Sequence, residues 1–134
     1  MSYAVRPNNP TLTNPVASGN AFLLQPAPTA LIATATLTIA QMLTGIITMT
    51  SAVAVTLTLP TGTLADAGVL AGSGATTNAF DWYLQNLGSV SGAVTMAAGT
   101  GHTTSGSLTV AIGTTAQFRT VKTAANTFVT YRLG

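Results

Sequence analysis

From residue 34 onwards the apolar residues of this chain recur at every second position, with Thr or Ala in the places between them. Successive side chains of a strand point to opposite faces, so a period of two selects half-buried strands over helices. The clearest run is 53–59, where Val53, Val55, Leu57 and Leu59 point one way and Ala54, Thr56 and Thr58 the other, before Pro60-Thr61-Gly62 ends it. Ala35, Leu37 and Ile39 share a face opposite Thr34, Thr36 and Thr38, and Phe80, Trp82 and Leu84 share an inner face with Asp81, Tyr83 and Gln85 on the reverse. Shorter strands are expected at 93–97, 108–112, 115–121 and 127–133, separated by Gly, Ser or Asn turns. Two short helical pieces are expected at 39–43, ending at Gly45, and at 63–69, with Asp66 in the first turn. Roughly seven or eight strands spaced by turns predict an all-β fold, an antiparallel β-sandwich of jelly-roll or Greek-key type. The helices that a doubly wound α/β fold needs are missing.

The 134 residues fit one domain preceded by an arm. Residues 1–33 hold five of the six prolines, Pro7, Pro10, Pro15, Pro26 and Pro28. Each proline removes a backbone donor and pushes its predecessor towards extended geometry. Tyr3, Val5, Val16, Phe22, Leu23 and Leu24 are scattered through this stretch without helical spacing. A disordered tail is normally charged and poor in large apolar groups. This one is neither, so we read 1–33 as an extended, Pro-rich N-terminal arm that docks on a neighbouring subunit, and 34–134 as the sandwich domain.

Charge then narrows the function. Charged residues make up 4% of the chain, against roughly 25% in an average soluble protein. The ionisable inventory is Arg6, Asp66, Asp81, Arg119, Lys122, Arg132 and His102, with no Glu and no Cys. No thiolate, no disulfide and no rich supply of metal ligands is at hand, because zinc normally takes three or four His, Cys or carboxylate ligands. We therefore expect no enzyme, no catalytic residue, no metal and no cofactor. A net charge of +2 is too small for the several phosphate contacts of nucleic-acid binding. The stretch 31–59 is long and mostly apolar, but its alternation with Thr and its lack of flanking Lys or Arg argue against a membrane span. A secretory signal is not expected either, since Pro7-Asn8-Asn9-Pro10 interrupts the place of its apolar core. A surface so poor in charge lacks the repulsion that keeps monomers apart, which predicts a subunit of an assembly.

Some local patterns imitate active sites. The run Gly99-Thr100-Gly101-His102-Thr103-Thr104-Ser105-Gly106 resembles a phosphate loop, but no helix opens after it and no Lys is near, so a hairpin or inter-sheet loop is expected. His102 and Ser105 lack the Gly-x-Ser-x-Gly elbow of a hydrolase and are expected as plain loop residues. Asp81, between Phe80 and Trp82, is expected to pair with a basic residue of the last two strands. Arg119, Lys122 and Arg132 crowd into the last 16 residues and suggest either simple solubility or a weakly basic edge that meets an acidic partner.

The run Thr36-Leu37-Thr38-Ile39-Ala40-Gln41-Met42-Leu43-Thr44-Gly45-Ile46-Ile47 is similar to the T-x-T-x-x-Q-L-L-x-G-I-I opening of small virion structural proteins of tailed bacteriophages. Leu57-Thr58-Leu59-Pro60-Thr61-Gly62, Phe80-Asp81-Trp82-Tyr83-Leu84-Gln85-Asn86, Ala116-Gln117-Phe118-Arg119 and Asn126-Thr127-Phe128-Val129-Thr130-Tyr131-Arg132-Leu133 follow in the order of the same pattern. Over about residues 34–134 the chain thus resembles the tailed-bacteriophage head decoration, or cement, proteins. The resemblance implies a trimeric β-sandwich that caps the outer face of an icosahedral head, and it carries over no catalytic residue. The function expected is accordingly a capsid-stabilising structural protein of the virion, made in the host cytoplasm and placed on the outer surface of the capsid. Its partners would be two further copies of itself and the major capsid protein, with no nucleic acid, membrane or small-molecule substrate. Tyr3, Val5, Arg6, Pro7, Pro10, Phe22 and Leu23 of the arm, with Arg119, Lys122 and Arg132, are the expected contact residues. The alternative is a head- or tail-fibre module that binds a host receptor or glycan.

Overall fold

The computed structural model describes residues 26–69 and 78–134, so Tyr3, Val5, Arg6, Pro7, Pro10, Phe22 and Leu23 lie outside the described residues. Ten strands and two short helices make up this part: β1 (Thr29–Leu31), β2 (Ala35–Thr36), α1 (Ile39–Met42), β3 (Ile46–Met49), β4 (Val55–Thr58), α2 (Gly62–Gly68), β5 (Ala79–Asn86), β6 (Val94–Ala97), β7 (His102–Ser105), β8 (Thr109–Val110), β9 (Thr115–Ala124) and β10 (Thr127–Arg132). They form a six-stranded sheet in the order β1-β3-β5-β9-β10-β7 and a four-stranded sheet in the order β2-β4-β6-β8. The all-β expectation holds at this level.

The antiparallel expectation does not. Of the eight pairings described, five are parallel: β1 with β3, β3 with β5, β2 with β4, β4 with β6, and β7 with β10. Only β5–β9, β9–β10 and β6–β8 are antiparallel. From β1 to β9 each strand lands in the other sheet from its predecessor, and β9–β10 is the one pair of consecutive strands that are hydrogen-bonded neighbours. The chain therefore winds as coils, β1/β2, then β3/β4, then β5/β6, each adding one parallel strand to both sheets. A parallel pair needs a crossover of about a dozen residues or more. Here β2 and α1 fill the first crossover, and β4 and α2 lie within the second. The period of two could not foretell this, since it states which side of a strand is buried and nothing about its direction or its neighbour.

Local differences have local causes. β1 lies inside the stretch assigned to the arm, so the sheet begins at Thr29 and not after residue 33. Val53 was expected inwards but is 63% exposed, because Ser51 Oγ donates to the Val53 carbonyl and accepts from its N–H, which bends the chain before β4 begins at Val55. Both helices are present. Thr38 and Gln41 form a capping box on α1, with Gln41 N–H donating to Thr38 Oγ1 (3.1 Å) and Thr38 N–H to Gln41 Oε1 (2.9 Å). Thr61 caps α2, which puts Asp66 beyond the first turn where it was expected. The glycine-rich run 99–106, expected as a loop, contains β7, paired in parallel with β10.

One cluster of buried residues takes side chains from both sheets. Ile47, Met49, Trp82, Leu84, Ala116, Phe118 and Phe128 come from the six-stranded sheet, and Val55, Leu57, Val94, Met96 and Val110 from the four-stranded one. Trp82 and Phe118 are register partners and stack with ring centroids 4.7 Å apart. Full burial of each such side chain contributes roughly 1.5–3 kcal/mol. Gly62 closes the end of the core where α2 meets the β9–β10 turn: a Cβ on it would stand 1.8 Å from the Asn126 carbonyl oxygen, so no other residue fits that backbone approach.

Candidate functional site

The three cations of the last strands do not share an edge. In the six-stranded sheet β9 lies between β5 and β10, and β10 between β9 and β7, so both are interior strands. Residues 119 and 122 are three apart on one strand, which puts them on opposite faces. That parity was readable from the spacing alone.

Arg119 points outwards from β9 and stands opposite Asp81 of β5. Its Nε donates to Asp81 Oδ1 (2.6 Å) and its Nη2 to Oδ2 (2.8 Å), a two-pronged ion pair. The expected pairing of Asp81 with a basic residue of the last strands is thus met. The guanidinium hydrogen bonds hold the Asp81 carboxyl below its ordinary range and push Arg119 further up. Lys122 faces inwards beside Thr120, and its Nζ donates to Asp66 Oδ1 on α2. The Asn126 backbone N–H donates to the other oxygen of the same carboxylate (2.9 Å). Both contacts, the lysine's above all, lower the Asp66 pKa. Arg132 reaches across to the four-stranded sheet, where Nη1 donates to the carbonyls of Thr109 (2.6 Å) and Ser107 (3.3 Å), while Nε donates to that of Gly134 (3.1 Å). Every charged side chain among the described residues is therefore engaged within the chain.

His102 is not the loop residue expected. It is buried on the inner side of β7 and ends a hydrogen-bonded chain that crosses four strands. Trp82 Nε1 donates to Thr120 Oγ1 (3.0 Å), Thr120 and Thr130 hydroxyls lie 2.8 Å apart, Thr130 Oγ1 is 2.7 Å from His102 Nε2, and His102 Nδ1 is 3.1 Å from the Pro60 carbonyl. A carbonyl only accepts, so Nδ1 carries the proton and Nε2 accepts from Thr130. Thr130 then accepts from Thr120, and Thr120 from Trp82, so each hydrogen in the chain has one acceptor with the imidazole neutral. Burial lowers the His102 pKa, and the bond to Pro60 opposes that shift. Ser105, three residues on, falls on the opposite face of β7, and neither ring nitrogen bonds a carboxylate. The arrangement joins β7 to the end of β4 and assembles no nucleophile and base. Among the described residues no group of three or more His, Cys, Asp or Glu side chains is placed to hold a metal, and no helix is long and apolar enough to cross a membrane.

Among the described residues both outward sheet faces are open to a partner, as are Ile32, Val53, Leu64 and Val90 outside the strands. On the four-stranded sheet, Thr36, Thr58 and Ala97 form one row and Thr56, Thr95 and Thr109 the next. On the six-stranded sheet, Ile46, Tyr83 and Gln117 form one row and Asp81, Arg119 and Tyr131 the adjacent one. Compared with protein-family models, with curated proteins and with solved structures, the chain has no match.

Proposed function

We propose that this chain is a non-catalytic structural protein of a virion, a cement or decoration protein that binds the outer surface of an icosahedral phage head as a homotrimer and contacts the major capsid protein there. The observation that carries the reading is the internal engagement of every charged side chain among the described residues: Asp81 with Arg119, Asp66 with Lys122, Arg132 with three carbonyls, beside a buried neutral His102. The outward sheet faces carry no unpaired ion, so a partner can cover them without stripping water from an isolated charge. The block-by-block resemblance of residues 34–134 to head decoration proteins supports the same reading. For the finer architecture we propose a sandwich, because one core serves both sheets. A jelly-roll or Greek-key order would need antiparallel neighbours where β1-β3-β5 and β2-β4-β6 have parallel ones.

The mechanism is mechanical. Apolar area covered on the shell contributes on the order of 25 cal/mol per Å², less the costs of association, and three linked copies add avidity. The test is co-sedimentation with heads that lack their decoration protein, followed by heating of the decorated and bare heads. Saturable binding with a raised temperature of head rupture supports the proposal, and absence of binding overturns it. The second reading, a fibre module for a receptor or glycan, draws on Tyr83 and Tyr131, which stand 40% exposed on one face. It predicts glycan binding lost on Tyr83→Ala in an array experiment.

A further inference from the structure

We infer that the outward face of the six-stranded sheet, centred on the Asp81–Arg119 pair with Tyr83 and Tyr131 beside it, is the surface on which a second copy of this chain docks. The inference rests on the self-association in the reading above and gives it a place. The two outward faces differ in kind. The four-stranded sheet shows only Thr and Ala, whose hydroxyls stay wetted and whose side chains offer no anchor. The other face sets Ile46 (43% exposed) directly beside Tyr83, and places Tyr131 beside Arg119 one row away. Leu133, whose N–H donates to the Gln117 carbonyl, continues the outward alternation of β10 at the end of the Tyr83 row. Tyr and Arg are the residues enriched at the centres of interfaces, whereas Lys and Glu are depleted there.

Charge selects the occupant. The patch carries one anion and one cation next to each other in a single row, so it has no net sign with which to attract an acidic or a basic partner. It is complementary to a turned copy of itself. Hydrogen-bonding capacity is also left over. Arg119 uses two of its five N–H groups on Asp81, and each Asp81 oxygen accepts one bond where it has room for two. A second copy can thus place its Arg119 on this Asp81, and its Asp81 on this or a further Arg119, without breaking the pair inside either chain. Such an exchange closes either about a twofold axis or around a ring.

The experiment is sedimentation of the full chain at about 1–100 μM, alongside Tyr83→Lys, Tyr131→Lys, the double variant, and Thr95→Lys on the opposite sheet as control. Both tyrosines are partly exposed, so the substitutions leave the core alone; circular dichroism checks the fold of each. The wild type and T95K are expected to sediment as oligomers, each single tyrosine variant to dissociate at least about tenfold more readily, and the double variant to run as a monomer. A readout that needs no variant is hydroxyl-radical labelling of the wild type, in which Tyr83 and Tyr131 become protected as concentration rises. A wild type that stays monomeric across this range overturns the inference, and so does an oligomer that both lysines leave intact. Head binding is measured separately on the same proteins. Head binding by a wild type that stays monomeric sinks the docking face alone, and a wild-type oligomer that fails to bind heads sinks the proposed function alone.

Discussion

The inner faces of the two sheets are built on different principles. The four-stranded sheet turns in Val55, Leu57, Val94, Met96 and Val110, all aliphatic or thioether side chains with no polar atom that needs a partner. The six-stranded sheet turns in Trp82, Phe118 and Phe128, and among them the chain of hydroxyls and imidazole from Trp82 to His102. Apolar burial is non-directional and tolerates some sliding, whereas a hydrogen-bonded chain with one acceptor per hydrogen has a single geometry. The larger sheet thus sets the register and the smaller one supplies area. Both ion pairs, Asp81 with Arg119 and Lys122 with Asp66, tie down β9, which lies between β5 and β10, its hairpin partner.

The largest losses are expected in the six-stranded sheet. Trp82→Ala removes the stacked ring and leaves Thr120 without its donor, and should cost about 3–5 kcal/mol in urea unfolding. Leu57→Ala, in the middle of β4 and fully buried, should cost about 2–5 kcal/mol through the cavity alone. If the smaller sheet contributes area only, the denaturant slope is unchanged by Leu57→Ala, since two-state unfolding is preserved. Thr120→Val separates shape from hydrogen bonding. It keeps the volume but orphans the Trp82 N–H and the Thr130 lone pair, and should cost about 1–3 kcal/mol. A loss below about 0.5 kcal/mol would show that the polar chain does not hold the sheet.

Acid should act next. The His102 pKa lies below its ordinary value of 6.5 in the fold, so the unfolded chain binds the proton first. Stability is therefore full above pH 6.5 and falls as the pH drops from there towards the lowered folded pKa. A protonated ring would donate at Nε2, turn the Thr130 hydroxyl towards Thr120, and leave the Thr120 hydrogen without an acceptor in the chain. Melting temperatures across pH 7.5 to 4.5 should show this fall, and His102→Gln should flatten it. Asp66 and Asp81 contribute in a separate window, because their lowered pKa values keep them charged until the pH passes below 3.8. The smallest effect belongs to Asp81→Asn on the exposed face: a slight drop in melting temperature that shrinks as salt is added.

Much of this was legible in the sequence, and the limit is physical. Period two placed Leu57, Leu59, Trp82 and Leu84 inside, and it put Asp81 outside near a base, because facing within a strand depends only on residues two apart. The same rule applied to residues 119 and 122 would have dispersed the supposed basic edge. His102 carried no such signal: its neighbours Gly99, Gly101 and Gly106 read as a loop, and β7 exists because β10 lies beside it. Composition determined that charge could play little part at the surface, since four cations and two anions are too few to dominate it. Strand direction, the winding of the chain between the sheets, and the meeting of Trp82, Thr120, Thr130, His102 and Pro60 were decided only by the tertiary structure. These residues come from β5, β9, β10, β7 and the end of β4, and no local energy term links positions so far apart. What brings them together is burial of a common core, with hydrogen bonds selecting the one register in which every buried polar group is satisfied.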